Sequence, residues 1–140
     1  SEAVAADTQG TARQRLTRFI QAGLQPPVMT PRAVALWAGF LNTVQQDPEM
    51  RTIHARTYAN YRDLLETLIG AVLNEAERPV APARLRQLAI ASNAVLDGLW
   101  MEGGALPEAF AKGEMTWIGL KSVGSIIGIS LDKEEGQPCE

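Results

Sequence analysis

Residues 93–104 read NAVLDGLWMEGG and end a long stretch rich in alanine and leucine. The segment places Asp97, Gly98 and Trp100 within four consecutive positions. Among the common residues only proline forms helices less readily than glycine, and aspartate also ranks low. A helix that tolerates such residues usually has packing partners that require them. The surfaces that this helix contacts therefore decide the arrangement of the rest of the chain.

Composition limits the kinds of protein that this chain can be. Its 140 residues, 46% of them hydrophobic and 21% charged, are typical of one soluble globular domain. A formal net charge of -3 offers no basic surface for phosphates, so we expect any contact with DNA to come from residues outside this chain. We also expect no membrane segment and a cytoplasmic location, because no apolar run reaches about 18 residues and no signal peptide opens the sequence.

Metal sites and catalytic triads have few residues to draw on. The chain contains one cysteine, Cys139, and one histidine, His54, which lies in a polar helical stretch and is interpreted as a solvated residue. The carboxylates Asp63, Glu66, Asp97 and Glu102 do not show the Glu-x-x-His spacing of a metal site in a helical bundle. We therefore predict no cofactor, no metal and no enzymatic activity.

Apolar residues recur at every third or fourth position, which predicts an all-α protein without strands. Capping residues and helix-starting prolines mark the predicted helix starts at Thr11, Thr30–Pro31, Asp47–Pro48 and Pro82. The third helix is predicted to end near Glu77, the fourth at Gly103–Gly104, and the last to span residues 115–131 with Gly128 inside it. The fold class is thus a single domain over residues 1–140, an orthogonal or antiparallel bundle of about five helices. Its ordered core covers about residues 11–130, and residues 132–140 form a charged tail.

The last two helices are apolar on more sides than one small domain can cover. The fourth helix directs leucines to one face, and its far side carries small and apolar residues where a solvent-facing helix would carry lysine and glutamate. We therefore predict a twofold homodimer in which these two helices pack against their copies, with ordinary core helices of a monomer as the alternative. The residues assigned to the dimer interface are Ala94, Asp97, Gly98, Trp100, Met101, Trp117, Leu120, Gly124 and Ile127.

The segment ASNAVLDGLWMEG lies in the first helix of the last helix pair and resembles the C-terminal domain of TetR-family transcriptional regulators. The branch to which it is most similar is that of the BetI-like repressors, in which a helix ends in Asp-Gly-Leu-Trp at this place. RQRLTRFIQ, AVALWAGFLNTVQQDPEMR and YRDLLETLI extend the resemblance over about residues 6 to 130. Family members begin with a helix-turn-helix domain. The stripe of TPRAVALWAGF contains Trp37 and Phe40 and lacks the basic side chains of a helix that reads the major groove. The resemblance thus implies the effector-binding and dimerisation domain alone, with DNA bound only through an N-terminal domain absent from this sequence.

The resemblance also implies a small-molecule effector that binds inside this domain and shifts the spacing of two DNA-binding heads. By the layout of the family, the pocket lies between the first three helices and the inner face of the fourth. Its candidate lining residues are Phe19, Trp37, Phe40, Leu41, Tyr58, Tyr61, Leu65, Ser92 and Leu96. A choline-like ammonium held by aromatic rings is one option, but no acidic residue clearly joins the aromatic set, and a neutral aromatic or fatty ligand fits equally well.

Asp97 and Trp100 of the segment at 93–104 are assigned by their positions on the fourth helix. Asp97 points away from the leucine face, so it is interpreted as an interface or rim group and not as a counter-ion for a ligand. Trp100 borders two faces, and we assign it to the dimer in preference to the pocket. The sequence thus predicts a ligand-sensing transcriptional repressor, with a stand-alone helical adaptor for a protein partner as the alternative.

Overall fold

The computed structural model describes residues 9–131, and within this range the chain forms α-helices and no strand, which confirms the all-α prediction. The five helices are α1 (Ala12–Gly23), α2 (Pro31–Gln46), α3 (Pro48–Glu75), α4 (Pro82–Ala105) and α5 (Glu114–Ile127), with a short 3-10 helix at Pro107–Ala109. The predicted charged tail at 132–140 lies outside the described residues.

Local side-chain chemistry sets the starts of the first three helices. The Thr11 hydroxyl accepts a hydrogen bond from the Gln14 amide at 3.1 Å, and the Gln14 side chain accepts one from the Thr11 amide at 3.0 Å. The Thr30 hydroxyl caps α2 by accepting from the Ala33 amide, and Asp47 caps α3 by accepting from the amides of the first turn. Such caps satisfy amides that have no partner inside the helix, and each stabilises a helix by about 1 kcal/mol.

Two predicted helix ends are wrong, and glycines explain both. Helix α4 continues through Gly103 and Gly104 to Ala105, because both glycines are buried where another helix approaches closely. A Cβ atom on Gly104 would lie 1.9 Å from Val34 Cγ2 of α2, and one on Gly103 would lie 2.0 Å from Met115 Cε of α5. Helix α5 in turn ends before Gly128, whose φ of 76° is left-handed and whose amide donates to the Gly124 carbonyl at 2.8 Å.

The hydrophobic core lies between α1, the second half of α3, α4 and α5. Its largest fully buried apolar side chains are Leu16, Phe19, Ile20, Leu65, Ile69, Val72 and Val123. Burial of each such side chain stabilises the fold by roughly 1.5–3 kcal/mol relative to exposure. Helix α4 is central, since it packs against each of the other four helices.

Helix α2 and the first half of α3 contribute little to this core. Val44 is the buried residue of α2, and the buried residues of α3 all follow Tyr61 in the sequence. These two segments, Pro31–Gln46 and residues 48–61, therefore form a cover over one side of α1 and α4. We refer to them together as the cover.

The contact between Gly104 and Val34 yields a test of how the cover is attached. Gly104→Ala should lower the free energy of unfolding by roughly 1–3 kcal/mol, because the added methyl group would overlap Val34 and force α2 away from α4. Gly39→Ala is the matched control, since a Cβ atom there meets nothing within 4 Å. Its better helix propensity should raise that free energy by about 0.5–1 kcal/mol. Urea denaturation of both variants measures the two changes, and equal stabilisation by both would contradict close packing at Gly104.

A candidate ligand cavity between the cover and the core

A cavity of about 280 Å³ lies where the cover meets α1 and α4. Most of its wall is apolar or aromatic, and a few polar groups lie among these side chains, a pattern common in small-molecule sites. The lining residues are Phe19, Ile20, Gly23, Leu24 and Val28 from α1 and the turn after it, Trp37 from α2, His54, Thr57, Tyr58 and Tyr61 from α3, and Leu96, Asp97, Trp100 and Met101 from α4.

Aromatic rings contributed by four helices form much of the wall. The ring centre of Trp37 lies 4.9 Å from that of His54 and 6.4 Å from that of Trp100, the latter with the planes at 82°. Phe19 and Tyr61 pack with centres 5.4 Å apart on the side nearest the core. The α3 residues reach the cavity together because spacings of four and three place them on one helical face. Helical periodicity thus brings His54, interpreted from sequence as solvated, into the wall.

The indole of Trp100 connects α4 to the turn after α1. Its Nε1 donates a hydrogen bond to the carbonyl of Val28 at 3.1 Å. This bond satisfies the polar atom of a half-buried tryptophan and orients its ring along the cavity wall. Trp100 therefore lines the cavity, and its assignment to a dimer interface stays a prediction.

A hydrogen-bonded group of three side chains forms the polar end of the cavity. Tyr58 donates from its hydroxyl to Asp97 Oδ2 at 2.6 Å, and the Asn93 amide donates to the Tyr58 oxygen at 2.7 Å. Asn93 Nδ2 also lies 3.4 Å from Asp97 Oδ2, because the two residues are four apart on α4. Burial and the hydrogen bond to Asp97 raise the pKa of Tyr58, and burial with the nearby Asp97 charge raises the pKa of Tyr61 to about 12.

The position of Asp97 differs from the expectation that it lies outside the pocket. A helical wheel places Asp97 away from the leucine face of α4, and that direction leads to the cavity because the cover lies there. The sequence therefore identified the direction of this side chain correctly but not the element that it meets. An acidic residue does join the aromatic set.

The other predicted ligand-binding residues divide between the cavity and its surroundings. Phe19, Trp37, Tyr58, Tyr61 and Leu96 line the cavity as expected from the layout of the family. Phe40 stacks against Trp37 with ring centres 5.6 Å apart, and it and Leu41 are half-buried outside the lining. Leu65 and Ser92 are fully buried in the core, because the second half of α3 packs directly on α1 and α4.

The residues predicted for a dimer interface also lie in different surroundings. Ala94 and Gly98 are exposed on α4, Trp117 is 56% exposed on α5, and Met101 is half-exposed at the edge of the cavity. Leu120, Gly124 and Ile127 are instead buried in the chain's own core. Leu120 and Ile127 belong to the core cluster of buried side chains. At Gly124 the chain turns back after Gly128, so that a Cβ atom there would lie 2.9 Å from the carbonyl oxygen of Ile129.

The chain matches one known protein family over most of its length. A family model described as the BetI-type transcriptional repressor C-terminal domain matches residues 12–128, from the first residue of α1 to Gly128, the residue that follows α5. The chain belongs to this family. The match confirms the resemblance to the C-terminal domain of BetI-like TetR regulators. No curated protein and no solved structure matches the chain significantly. Among residues 9–131, none of the helices has the length and hydrophobicity needed to cross a membrane.

The chain has two tyrosines, and their titration measures how the cavity wall buries them and which charges lie nearby. In Tyr58→Phe, we expect one tyrosinate transition, that of Tyr61, at a pKa that stays above 10.0, because burial and the Asp97 charge remain and only the smaller effect of Tyr58 is removed. With Tyr58 present the folded pKa of Tyr61 is about 12, above the unfolded value of 10.0, so its contribution to stability is complete below pH 10 and is lost as the pH rises to about 12. Ultraviolet absorbance of tyrosinate, recorded with circular dichroism to follow folding, measures both effects.

Adding Asp97→Asn to this variant should lower the pKa of Tyr61 while leaving it above 10.0, because the carboxylate charge is removed and the burial is kept. A folded protein in which Tyr61 titrates with an ordinary pKa would contradict the described cavity wall.

Proposed function

We propose that this chain is the effector-binding and dimerisation domain of a TetR-type transcriptional repressor of the cytoplasm. A small molecule enters the cavity and changes DNA binding by an N-terminal helix-turn-helix, and the domain itself carries out no reaction. The observation that carries the proposal is the cavity, which has aromatic walls and one polar end and lies inside a domain of a repressor family. The family match favours this function and gives no support to a stand-alone adaptor.

The cover is the part of the domain that a ligand would influence most directly. It supplies Trp37, His54, Thr57, Tyr58 and Tyr61 to the cavity wall, while the opposite wall belongs to α1 and α4. The Tyr58–Asp97 hydrogen bond connects the cover to α4 across the cavity. A ligand that binds one placement of the cover more tightly than another shifts the population between them by that difference in affinity. We propose that this shift in the placement of the cover is transmitted to the DNA-binding heads.

A thermal-shift screen of small metabolites, with choline and neutral aromatic compounds among them, tests ligand binding. A compound present at about 100 times its Kd should stabilise the fold by roughly 2.7 kcal/mol. Gly23→Leu should abolish the shift, because Gly23 lines the cavity and its Cβ atom would lie 3.9 Å from Tyr61 Oη. The control Gly39→Leu adds the same side chain to an exposed position of α2 and should keep the shift. Shifts that survive Gly23→Leu would place the ligand elsewhere and contradict the proposal.

The proposed dimer uses the exposed sides of α4 and α5. Helix α4 presents a strip of small exposed residues, formed by Ala91, Ala94, Gly98 and Ala105. A Cβ atom on Gly98 would meet nothing within 4 Å in this chain, although a glycine inside a helix costs about 1 kcal/mol relative to alanine. Trp117 adds a large exposed aromatic side chain on α5. Small residues exposed on α4 and a tryptophan exposed on α5 fit close packing of two helix pairs around a twofold axis.

Gly98→Leu tests this interface. The added side chain has free space in the single chain but would separate two closely packed copies of α4, so it should raise the dimer dissociation constant by about tenfold or more. Gly39→Leu again provides the control, since it makes an equal change on an exposed side of α2 outside the proposed interface. Size-exclusion chromatography with light scattering over a concentration series measures the change. A monomeric wild-type protein at micromolar concentration, or an unchanged dimer in Gly98→Leu, would contradict the assignment.

A further inference from the structure

The charge of the cavity wall restricts the class of ligand that the cavity takes. Among the described residues, those that line the cavity include one carboxylate, Asp97, and neither lysine nor arginine. The charge of Arg62 lowers the pKa of Tyr58, but the Arg62 side chain is not part of the lining. His54 also lines the cavity, and the formal charge at pH 7 counts it as neutral. With His54 neutral, a carboxylate or phosphate ligand would enter a site that carries a negative charge and lacks a cationic partner, at a cost in free energy.

The hydrogen bonds of Asp97 leave one of its oxygen atoms available. Both of its hydrogen bonds, from Tyr58 and Asn93, reach Oδ2. Oδ1 accepts none from the described residues, and Asp97 forms no ion pair with them. These two donors hold the carboxylate in place on the cavity wall and leave Oδ1 for a donor from the ligand. A half-buried carboxylate without a cationic partner gains most from a donor that also carries a positive charge.

The aromatic wall favours the same charge. The faces of Trp and Tyr rings carry negative electrostatic potential and attract a cation within about 6 Å of the ring centre. Tyr58 is hydrogen-bonded to Asp97, and Trp37, Tyr61 and Trp100 line the same cavity. Apolar side chains such as Ile20, Leu24 and Leu96 form the remaining wall and suit a ligand body without charge. The cavity thus combines one anionic end with an apolar body.

From this geometry we infer that the cavity takes a protonated primary or secondary amine with an apolar or aromatic body, whose N–H group donates to Asp97 Oδ1. The inference rests on the proposal that the cavity is the effector site, and it adds the charge and the donor group of the effector. A quaternary ammonium has no N–H and interacts with the rings and the carboxylate through charge alone. The carboxylate therefore distinguishes an amine from its trimethylated analogue.

Four probes with one body and different head groups test this inference on the full chain. They are phenethylamine, its N,N,N-trimethyl derivative, the neutral 2-phenylethanol and the anionic 3-phenylpropanoate, and calorimetric titration measures their affinities. A charge-assisted hydrogen bond predicts that phenethylamine binds about tenfold or more tightly than each of the other three. Equal affinity of the trimethyl derivative would overturn donation by N–H, and equal affinity of the alcohol would overturn selection for a cation.

Substitutions in α4 test whether Asp97 causes the preference for the amine. Asp97→Asn keeps the size of the side chain and removes its charge, so it should weaken phenethylamine about tenfold and change the affinity of 2-phenylethanol by less than about twofold. Asp97→Glu should restore part of the preference for the amine. The control Glu102→Gln removes one negative charge at an exposed position of the same helix and should leave all four affinities unchanged. An equal loss of all probes in Asp97→Asn, with the helical content retained, would assign Asp97 to structure and overturn the inference.

The failure of this inference can be distinguished from failure of the proposed function. If neutral or anionic compounds stabilise the protein and Gly23→Leu abolishes their effect, the cavity is an effector site and only the amine specificity is overturned. If no compound of any charge acts through the cavity, both the proposed function and the inference are overturned.

Discussion

The burial of α4 on several sides is the constraint on which the core, the cavity and the proposed interface all depend. Its leucines contact the core, its Asp97 and Trp100 line the cavity, and its strip of Ala91, Ala94, Gly98 and Ala105 remains exposed. A helix with a single apolar stripe would position only one of these surfaces. Asp97 and Gly98 both have low helix propensity. Asp97 forms a hydrogen bond with Tyr58 at the polar end of the cavity, and Gly98 leaves free space beside the helix.

The cavity exists because the cover contacts α4 at specific points without forming a core of its own. At one contact Val34 of the cover packs against Gly104 of α4, and at another Tyr58 donates a hydrogen bond to Asp97. Between these contacts the rings of Trp37 and Trp100 meet edge to face and leave space. Because the cover buries few side chains, the free energy needed to displace it is a small part of the total, as expected for elements that respond to ligands.

Much of the fold and part of the site follow from local patterns. The caps at Thr11, Thr30 and Asp47 mark helix starts because they act within one turn. The aromatic candidates Phe19, Trp37, Tyr58 and Tyr61 reach the cavity wall, as the resemblance to the family implied. Phe40, Leu41, Leu65 and Ser92 do not, because helical periodicity gives the direction of a side chain on its own helix but not the distance to the next element.

The sequence by itself determined the helical class, the helix starts and the family, because these depend on composition, capping and motifs within short stretches of chain. Only the tertiary structure decided which helix covers each face of α4. It places the cover over Asp97 and Trp100, keeps Gly103 and Gly104 inside α4, and buries Leu120, Gly124 and Ile127 in the chain's own core. The physical reason is that a position on a helical wheel defines a direction, whereas burial depends on which distant segment packs there.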